Sequence, residues 1–135
     1  MARPSTDAKA VAAFTESLDR AERAFSRDAQ RIGLGAAFVQ YGSPDAVNMG
    51  SANDAGFVVG PENIGRLVSA GEPATGSSVS WAPDRVIVSS SGDLGVTIGT
   101  IRPNAPAPGS QRVGYPFFTV WRRASPGDPW RYVAE

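Results

Sequence analysis

The feature that most constrains the fold is one apolar stripe that runs through the first quarter of the chain at helical spacing. Its members follow one another in steps of three or four residues: Val11, Phe14, Leu18, Ala21, Phe25, Ala29 and Ile32. This spacing predicts an amphipathic helix of about six turns. Thr6 and Asp7 mark its start, because an acidic side chain there lies near the positive end of the helix dipole. Charged residues, Glu22 among them, lie between the members of the stripe.

The segment after this helix contains short elements separated by turn residues. The sequence predicts a helix over 34–41, a turn over 42–45, short strands over 46–49 and 57–59, and a helix over 61–71. Pro61 suits the first position of that helix, where its missing N–H costs little.

The second half of the chain changes to a period of two, which is typical of strands. The predicted strands cover residues 79–89, 94–102, 112–123 and 130–134. Pro83 predicts a bulge or an edge position in the first of them. Helices followed by an antiparallel meander predict an α+β fold, formed as a single domain over residues 1–135.

Composition excludes several classes of function. The chain has no His and no Cys, which excludes a Ser-His-Asp triad, thiolate chemistry and a disulfide framework. Its 13 basic and 13 acidic residues balance, which argues against nucleic acid as a partner. No apolar run approaches the roughly 20 residues of a membrane span, so we expect no membrane partner. No acidic spacing typical of a metal site and no phosphate-binding glycine loop occurs, so no metal and no cofactor is predicted.

The cellular compartment stays open at this level. The first ten residues lack the apolar core of a signal peptide, but a removed signal would leave the same sequence. The absence of Cys fits both the cytoplasm and the periplasm.

Several short motifs occur in a characteristic order. They are FVQYGSPDAV at 38–47, GPENIGRL at 60–67, SGDLG at 91–95, FTVWRR at 118–123 and GDPWRYV at 127–133. In this order, over about residues 8–134, the chain resembles the nuclear transport factor 2-like superfamily, and within it the bacterial SnoaL-like and ketosteroid-isomerase-like proteins. The resemblance implies a cystatin-like cone, in which a curved antiparallel sheet wraps around the long N-terminal helix and leaves a pocket. Members of this superfamily range from isomerases to proteins without known activity, so the fold does not give the function.

The resemblance also implies where catalytic groups would lie. The carboxylate base of ketosteroid-isomerase-like proteins falls near Gly50 or Ser51, and their oxyanion-binding phenol near Phe25, so neither group is present. The His of dehydratase-like members is absent, and epoxide-hydrolase-like chemistry requires Asp side chains inside strands, whereas Asp45, Asp84 and Asp93 are interpreted as lying at the ends of elements. The remaining catalytic candidates are Asp45, Asp54 and Tyr41. Asp45 is interpreted either as a turn cap or as a carboxylate at the mouth of the pocket.

Aromatic side chains predict an apolar pocket that suits a small hydrophobic molecule, with ordinary core packing as the alternative. The expected lining is Phe38, Tyr41, Asn48, Phe57, Trp81, Tyr115 and Trp121.

The segment over 115–121 is apolar on both of its faces. Tyr115, Phe117 and Trp121 share one face, and Phe118 and Val120 share the other. A strand with one solvated face should alternate with polar residues, so something is expected to cover the second face. The resemblance implies a second subunit, and we predict a homodimer that forms through the sheet.

Three functions follow from these observations. The first is binding of a small hydrophobic molecule. The second is lyase, isomerase or cyclase activity with Asp45 or Asp54 as the base, which needs a carboxylate directed into the pocket. The third is a protein-interaction module that uses the sheet surface and has a filled cavity.

Overall fold

Three helices and six strands make up the described part of the chain. The structure is a computed structural model that describes residues 2–51, 56–106, 108–109 and 114–135. Its elements are α1 (Ala8–Ile32), α2 (Leu34–Tyr41), β1 (Gly42–Asn48), β2 (Val58–Val59), α3 (Pro61–Ser69), β3 (Val79–Val88), β4 (Leu94–Pro103), β5 (Tyr115–Arg122) and β6 (Arg131–Ala134). The predicted α+β class and the cone-shaped architecture are confirmed: a curved, unclosed sheet accompanies the long N-terminal helix.

The strands lie in the order β2-β1-β6-β5-β4-β3. Strands β3 to β6 pair as the predicted antiparallel meander. Strand β1, however, pairs in parallel with β6, so the prediction of a wholly antiparallel sheet is wrong at this pairing. A parallel pair needs a long crossover connection, and here helix α3 and the meander supply it.

Helix α1 begins and ends where its local chemistry requires. The Asp7 carboxylate accepts a hydrogen bond from the Lys9 amide at 3.0 Å, which caps the first turn. Gly33 has φ of 105° and ends the helix, since this backbone conformation suits glycine. The buried side includes Leu18 and Phe25 of the predicted stripe.

The predicted turn over 42–45 is wrong, because these residues open strand β1. Gly42 pairs with Tyr132 of β6, and Ser43 is buried. The pairing with β6 overrides the turn propensity of these residues, since strand formation depends on tertiary context. Its register shifts between Gly42 and Val47, and such an irregularity accommodates Pro44, which cannot donate to the ladder.

Both alternatives predicted for Pro83 occur. Strand β3 forms an edge of the sheet, and its register against β4 shifts between Pro83 and Arg85. Strand β5 begins at Tyr115, whereas residues 112–113 of the predicted strand over 112–123 lie outside the described residues.

An aromatic cluster around Phe25 forms the core between α1 and the sheet. Phe25 stacks on Tyr41 at 4.8 Å between ring centroids, and it contacts the edges of Phe38 and Trp81 at 4.8 and 5.0 Å. Trp121 is fully buried beside it. This cluster joins the helices to the concave face of the sheet and sets the floor of the site described below.

None of the helices in the described part of the chain combines the length and the apolar character that a membrane span needs.

Candidate functional site

A cavity of about 670 Å³ lies between the helices and the sheet. Its volume falls within the ~300–1,000 Å³ of small-molecule sites. The wall includes Glu22 and Phe25 from α1, Leu34 and Phe38 from α2, Leu67 and Val68 from α3, Glu72 from the connection between α3 and β3, Trp81, Ile101, Phe117 and Thr119 from the sheet, and Glu135. Most of these side chains are apolar, so the few carboxyl groups dominate the chemistry of the cavity.

A second depression, of about 470 Å³, lies between α1 and β3. Its lining is rich in charged side chains, such as Glu16, Arg20 and Arg85, and all three of these are exposed. Because water reaches these groups, the depression lacks the dry walls that make electrostatic contacts strong.

Glu22 places a carboxyl group inside the larger cavity. The residue is 1% exposed, and the hydroxyl of Thr97 donates to its Oε2 at 3.0 Å. Trp121 Nε1 donates in turn to Thr97 Oγ1 at 3.1 Å. Burial raises the pKa of Glu22 to about 7, and hydrogen bonds from Thr97, Trp81 and Trp121 offset only part of this rise. The carboxyl therefore titrates close to neutral pH.

Glu135 brings a second carboxyl group to the same cavity. Its amide donates to the Val47 carbonyl and its own carbonyl accepts from Met49, which ties the residue to the end of β1. Asn48 Nδ2 donates to the Glu135 carboxyl at 3.1 Å. Burial raises the pKa of Glu135 to about 8, and the negative charge of Glu22 adds to the rise. The two carboxyls are therefore electrostatically linked.

Groups that titrate near neutral pH inside an apolar cavity can donate or accept a proton, or hold a charged partner. Every buried side-chain nitrogen and oxygen among the described residues has a hydrogen-bond partner, so the polar part of this wall is an ordered network.

Four of the seven residues predicted to line the pocket lie in the cavity wall: Phe38, Asn48, Trp81 and Tyr115. Asn48 contacts the Glu135 carboxyl, so its polar group points toward the cavity side of β1. The structure places Trp121, which was predicted to line the pocket, outside this wall. It lies behind the wall, fully buried, and it positions the hydroxyl of Thr97.

Two other predicted lining residues lie elsewhere. The hydroxyl of Tyr41 donates to Asp28 Oδ2 at 2.6 Å, and burial together with this carboxylate raises its pKa to about 12. Its ring packs in the aromatic core against Phe25, and its hydroxyl is directed to Asp28 rather than to the cavity. Phe57 is 72% exposed beside the two-residue strand β2.

Of the predicted catalytic carboxylates, Asp45 is not in this cavity wall. Asp45 is exposed, and Arg122 Nη2 donates to it at 2.7 Å. Hydrogen bonds from Ser43 and from Arg122 hold the pKa of Asp45 below its usual range, so it is a poor base at neutral pH. Asp54 lies outside the described residues.

Sequence reasoning missed both cavity carboxyls. Glu22 carried a usable signal, since it lies four residues after Leu18 and three before Phe25, on the buried side of α1. Glu135 carried none. Strand alternation from Tyr132 would send its side chain to the opposite face, but the register shifts between the pairs of Tyr132 and Ala134. Such a bulge redirects the side chains that follow it.

Comparisons with known proteins were made on sequence and on structure. No protein-family model matches this sequence, and no significant relative is found among curated proteins. Solved structures do match. A protein of unknown function from Burkholderia pseudomallei, itself described as nuclear transport factor 2-like, gives a TM-score of 0.53 at 20% identity, over 90% of this chain and 86% of that one.

Two further solved structures also match this chain. A ketosteroid isomerase-like protein from Erwinia carotovora atroseptica gives a TM-score of 0.51 at 20% identity, over 90% of each chain. The chain has the nuclear transport factor 2-like fold. The protein Rv0760c from Mycobacterium tuberculosis, solved with estradiol-17β-hemisuccinate, shares this fold with a TM-score of 0.51 at 14% identity, over 92% of this chain and 88% of that one. Identities this low establish the nuclear transport factor 2-like fold alone, and the motif resemblance is confirmed at that level.

Proposed function

We propose that the cavity binds a small, largely apolar molecule and that Glu22 and Glu135 hold its polar group. The observation that carries this proposal is the cavity of about 670 Å³, whose mostly apolar wall contains the buried carboxyl of Glu22 and the partly buried carboxyl of Glu135. A large apolar surface with few polar groups is typical of sites in which burial supplies affinity and the polar groups fix orientation. An open cavity does not favour the interaction module, which requires a filled one.

The cavity volume of about 670 Å³ and the ligands of proteins with the same fold indicate the size of the ligand. Rv0760c was solved with a steroid ester, and a designed protein of the same fold binds 17-OHP. We propose a ligand of comparable size for this chain, and estradiol is therefore a suitable neutral probe.

Binding can be tested by titrating the protein with estradiol and following tryptophan fluorescence, since Trp81 lies in the wall. The variant Val68→Phe fills part of the cavity and should weaken binding by about tenfold or more. The matched control Val59→Phe adds the same volume on an exposed strand outside the wall and should leave affinity unchanged. Equal affinities for both variants, or no binding to the wild type, would exclude the cavity as the site.

Acid–base catalysis is a second candidate function, favoured by the pKa values of about 7 and 8 in the wall. General acids and bases work best when their pKa lies near the operating pH. In this proposal Glu22 takes the role that was predicted for a carboxylate at the mouth. Exchange of the α-protons of 2-tetralone with D₂O, followed by NMR, should be accelerated by the wild type and lost in Glu22→Gln.

We also infer that the chain forms a homodimer through the convex side of the sheet. Phe118 is 65% exposed, and Leu94 and Ile87 on the neighbouring strands are 48% and 47% exposed. Apolar side chains that share one exposed face are typical of an interface. Sedimentation should give the mass of a dimer for the wild type and of a monomer for Phe118→Lys. A monomeric wild type would refute this inference.

A further inference from the structure

We propose that the ligand of the cavity is a hydrophobic organic cation, an apolar amine whose protonated nitrogen lies between the carboxyls of Glu22 and Glu135. This inference rests on the proposed binding function and names the chemical class of the ligand. It follows from the charges in the wall, from the hydrogen bonds around Glu22 and from the aromatic lining.

The charged side chains in the described part of the cavity wall are all acidic. Three acidic side chains, Glu22, Glu72 and Glu135, line the cavity, and among the described lining residues there is no Arg and no Lys. Outside the cavity three acidic side chains of the described residues form ion pairs: Asp19 with Arg23 at 2.9 Å, Asp28 with Arg31 at 3.6 Å, and Asp45 with Arg122 at 2.7 Å. A cation supplied by a ligand would therefore find carboxylates in this wall that no basic side chain of the described lining neutralises.

The hydrogen bonds around Glu22 favour its role as an acceptor. Thr97 donates to Oε2, Trp121 Nε1 donates to the Thr97 hydroxyl, and the indole of Trp81, which can only donate, lowers the pKa of Glu22 and so favours the ionised form. Donors arranged in this way stabilise the ionised form. An ionised carboxyl has about four acceptor positions, so room remains for a further N–H donor. A ligand ammonium supplies such a donor, whereas a carbonyl or carboxylate ligand would bring a second acceptor.

Aromatic side chains complete the match. Phe25, Phe38, Trp81 and Phe117 line the cavity. Aromatic rings attract organic cations through their quadrupole, and they also bury the apolar body of an amine. A metal ion fits less well, because the described residues contain no group of three or more ligating side chains.

The pH dependence of binding should distinguish this ligand class from a neutral one. In the empty cavity Glu22 and Glu135 titrate near pH 7 and 8. The other titratable groups on this wall are Glu72 and Tyr115, and Tyr132 lies beside Glu135. A bound cation favours the ionised carboxyls, so its binding should release protons and strengthen as pH rises from 6 to 8. A neutral ligand that accepts from a protonated carboxyl should show the opposite trend.

The test uses three naphthalene probes that share one aromatic body: 2-naphthylmethylamine, 2-naphthylmethanol and 2-naphthoate. Binding is measured by calorimetry at pH 7.5 in two buffers that differ in ionisation enthalpy, so that proton release is counted. The amine should bind about tenfold or more tightly than the alcohol, with proton release, and the naphthoate should bind weakest. Glu22→Gln and Glu135→Gln should each weaken amine binding by about tenfold and leave alcohol binding nearly unchanged. Glu62→Gln, on the exposed side of α3, is the matched control.

The outcomes separate this inference from the function on which it rests. If the alcohol binds as tightly as the amine, the cation inference is overturned while binding to the cavity stands. If the amine binds but both Gln variants keep its full affinity, the ammonium lies elsewhere and the inference is also overturned. If neither the three probes nor estradiol binds, the binding function itself fails. Proton release is measured on the wild type, so the test does not depend on the folding of one variant.

Discussion

The buried carboxyl of Glu22 should make the stability of the empty protein fall as pH rises. Burial raises its pKa from an ordinary 4.5 to about 7 in the folded chain. Below 4.5 the carboxyl is protonated in both states, and above 7 it is ionised in both. Between these values the folded state keeps a proton that the unfolded state has lost, so the free energy of unfolding decreases with pH.

The magnitude follows from the size of the pKa rise. Each unit corresponds to about 1.4 kcal/mol, so ionisation of Glu22 should remove about 3 kcal/mol of stability between pH 4 and pH 8.5. Glu135 acts in the same direction, since burial raises its pKa to about 8. The exposed Asp45 and the half-buried Asp93 have lowered pKa values and act in the opposite sense, at low pH. A variant of Glu22 is needed to isolate its share.

Urea unfolding of the wild type and Glu22→Gln at pH 4 and pH 8.5 provides the measurement. The Gln side chain cannot ionise, so the free energy of unfolding of the variant relative to the wild type should rise by about 3 kcal/mol between the two pH values. Glu62→Gln should leave the pH profile of the wild type unchanged, since this residue is exposed. Parallel profiles for the wild type and Glu22→Gln would refute the reasoning, because they would show that Glu22 gains no protons on folding.

Three further predictions follow from single contacts. Gly99→Ala should destabilise the fold by about 1–3 kcal/mol in urea unfolding, since its Cβ would clash with the Ala82 carbonyl oxygen on the neighbouring strand. Asp45→Asn removes one exposed ion pair, so stability should change by less than about 1 kcal/mol and estradiol affinity should not change. Tyr41→Phe loses the hydrogen bond to Asp28 and should cost about 1–2 kcal/mol of stability, again without change in estradiol affinity.

Hydrophobic periodicity was sufficient to predict the helices and the meander. The stripe that contains Leu18, Phe25 and Ala29 predicted α1, because the spacing of its members holds over many turns. The strands of the meander follow one another along the chain, so local alternation and turn residues predicted their pairing. Pro83 disturbs its strand as its missing N–H requires.

Long-range pairing was not predictable from such patterns. Gly42 and Pro44 have the local propensity of a turn, yet they belong to β1 because β6, from the far end of the chain, pairs beside them. The role of Glu135 was not predictable either, because it also depends on pairing between distant parts of the chain. Its side chain reaches the cavity through an irregularity in the pairing of β6 with β5, and no local pattern marks that irregularity.

Only part of the apolar wall was predictable, and its chemistry was not. Phe38 and Trp81 were identified because large aromatic side chains cluster in pockets as well as in cores. Glu22 was not identified as a cavity residue because a charged residue on a helix is ordinarily assigned to the solvent side. Its position four residues after Leu18 conflicts with that assignment, and such conflicts between residue type and position are concentrated at functional sites.

The stability cost of Glu22 connects these observations with the proposed ligand. A Leu or Met at this position would pack without an ionisation cost, and the ordered donors Thr97 and Trp121 would then be unnecessary. The empty protein instead keeps a carboxyl whose ionisation lowers the free energy of unfolding by about 3 kcal/mol. A cation bound beside Glu22 and Glu135 would remove much of that loss. An amine should therefore raise the unfolding free energy most at high pH, where the empty protein is least stable and the ligand binds best.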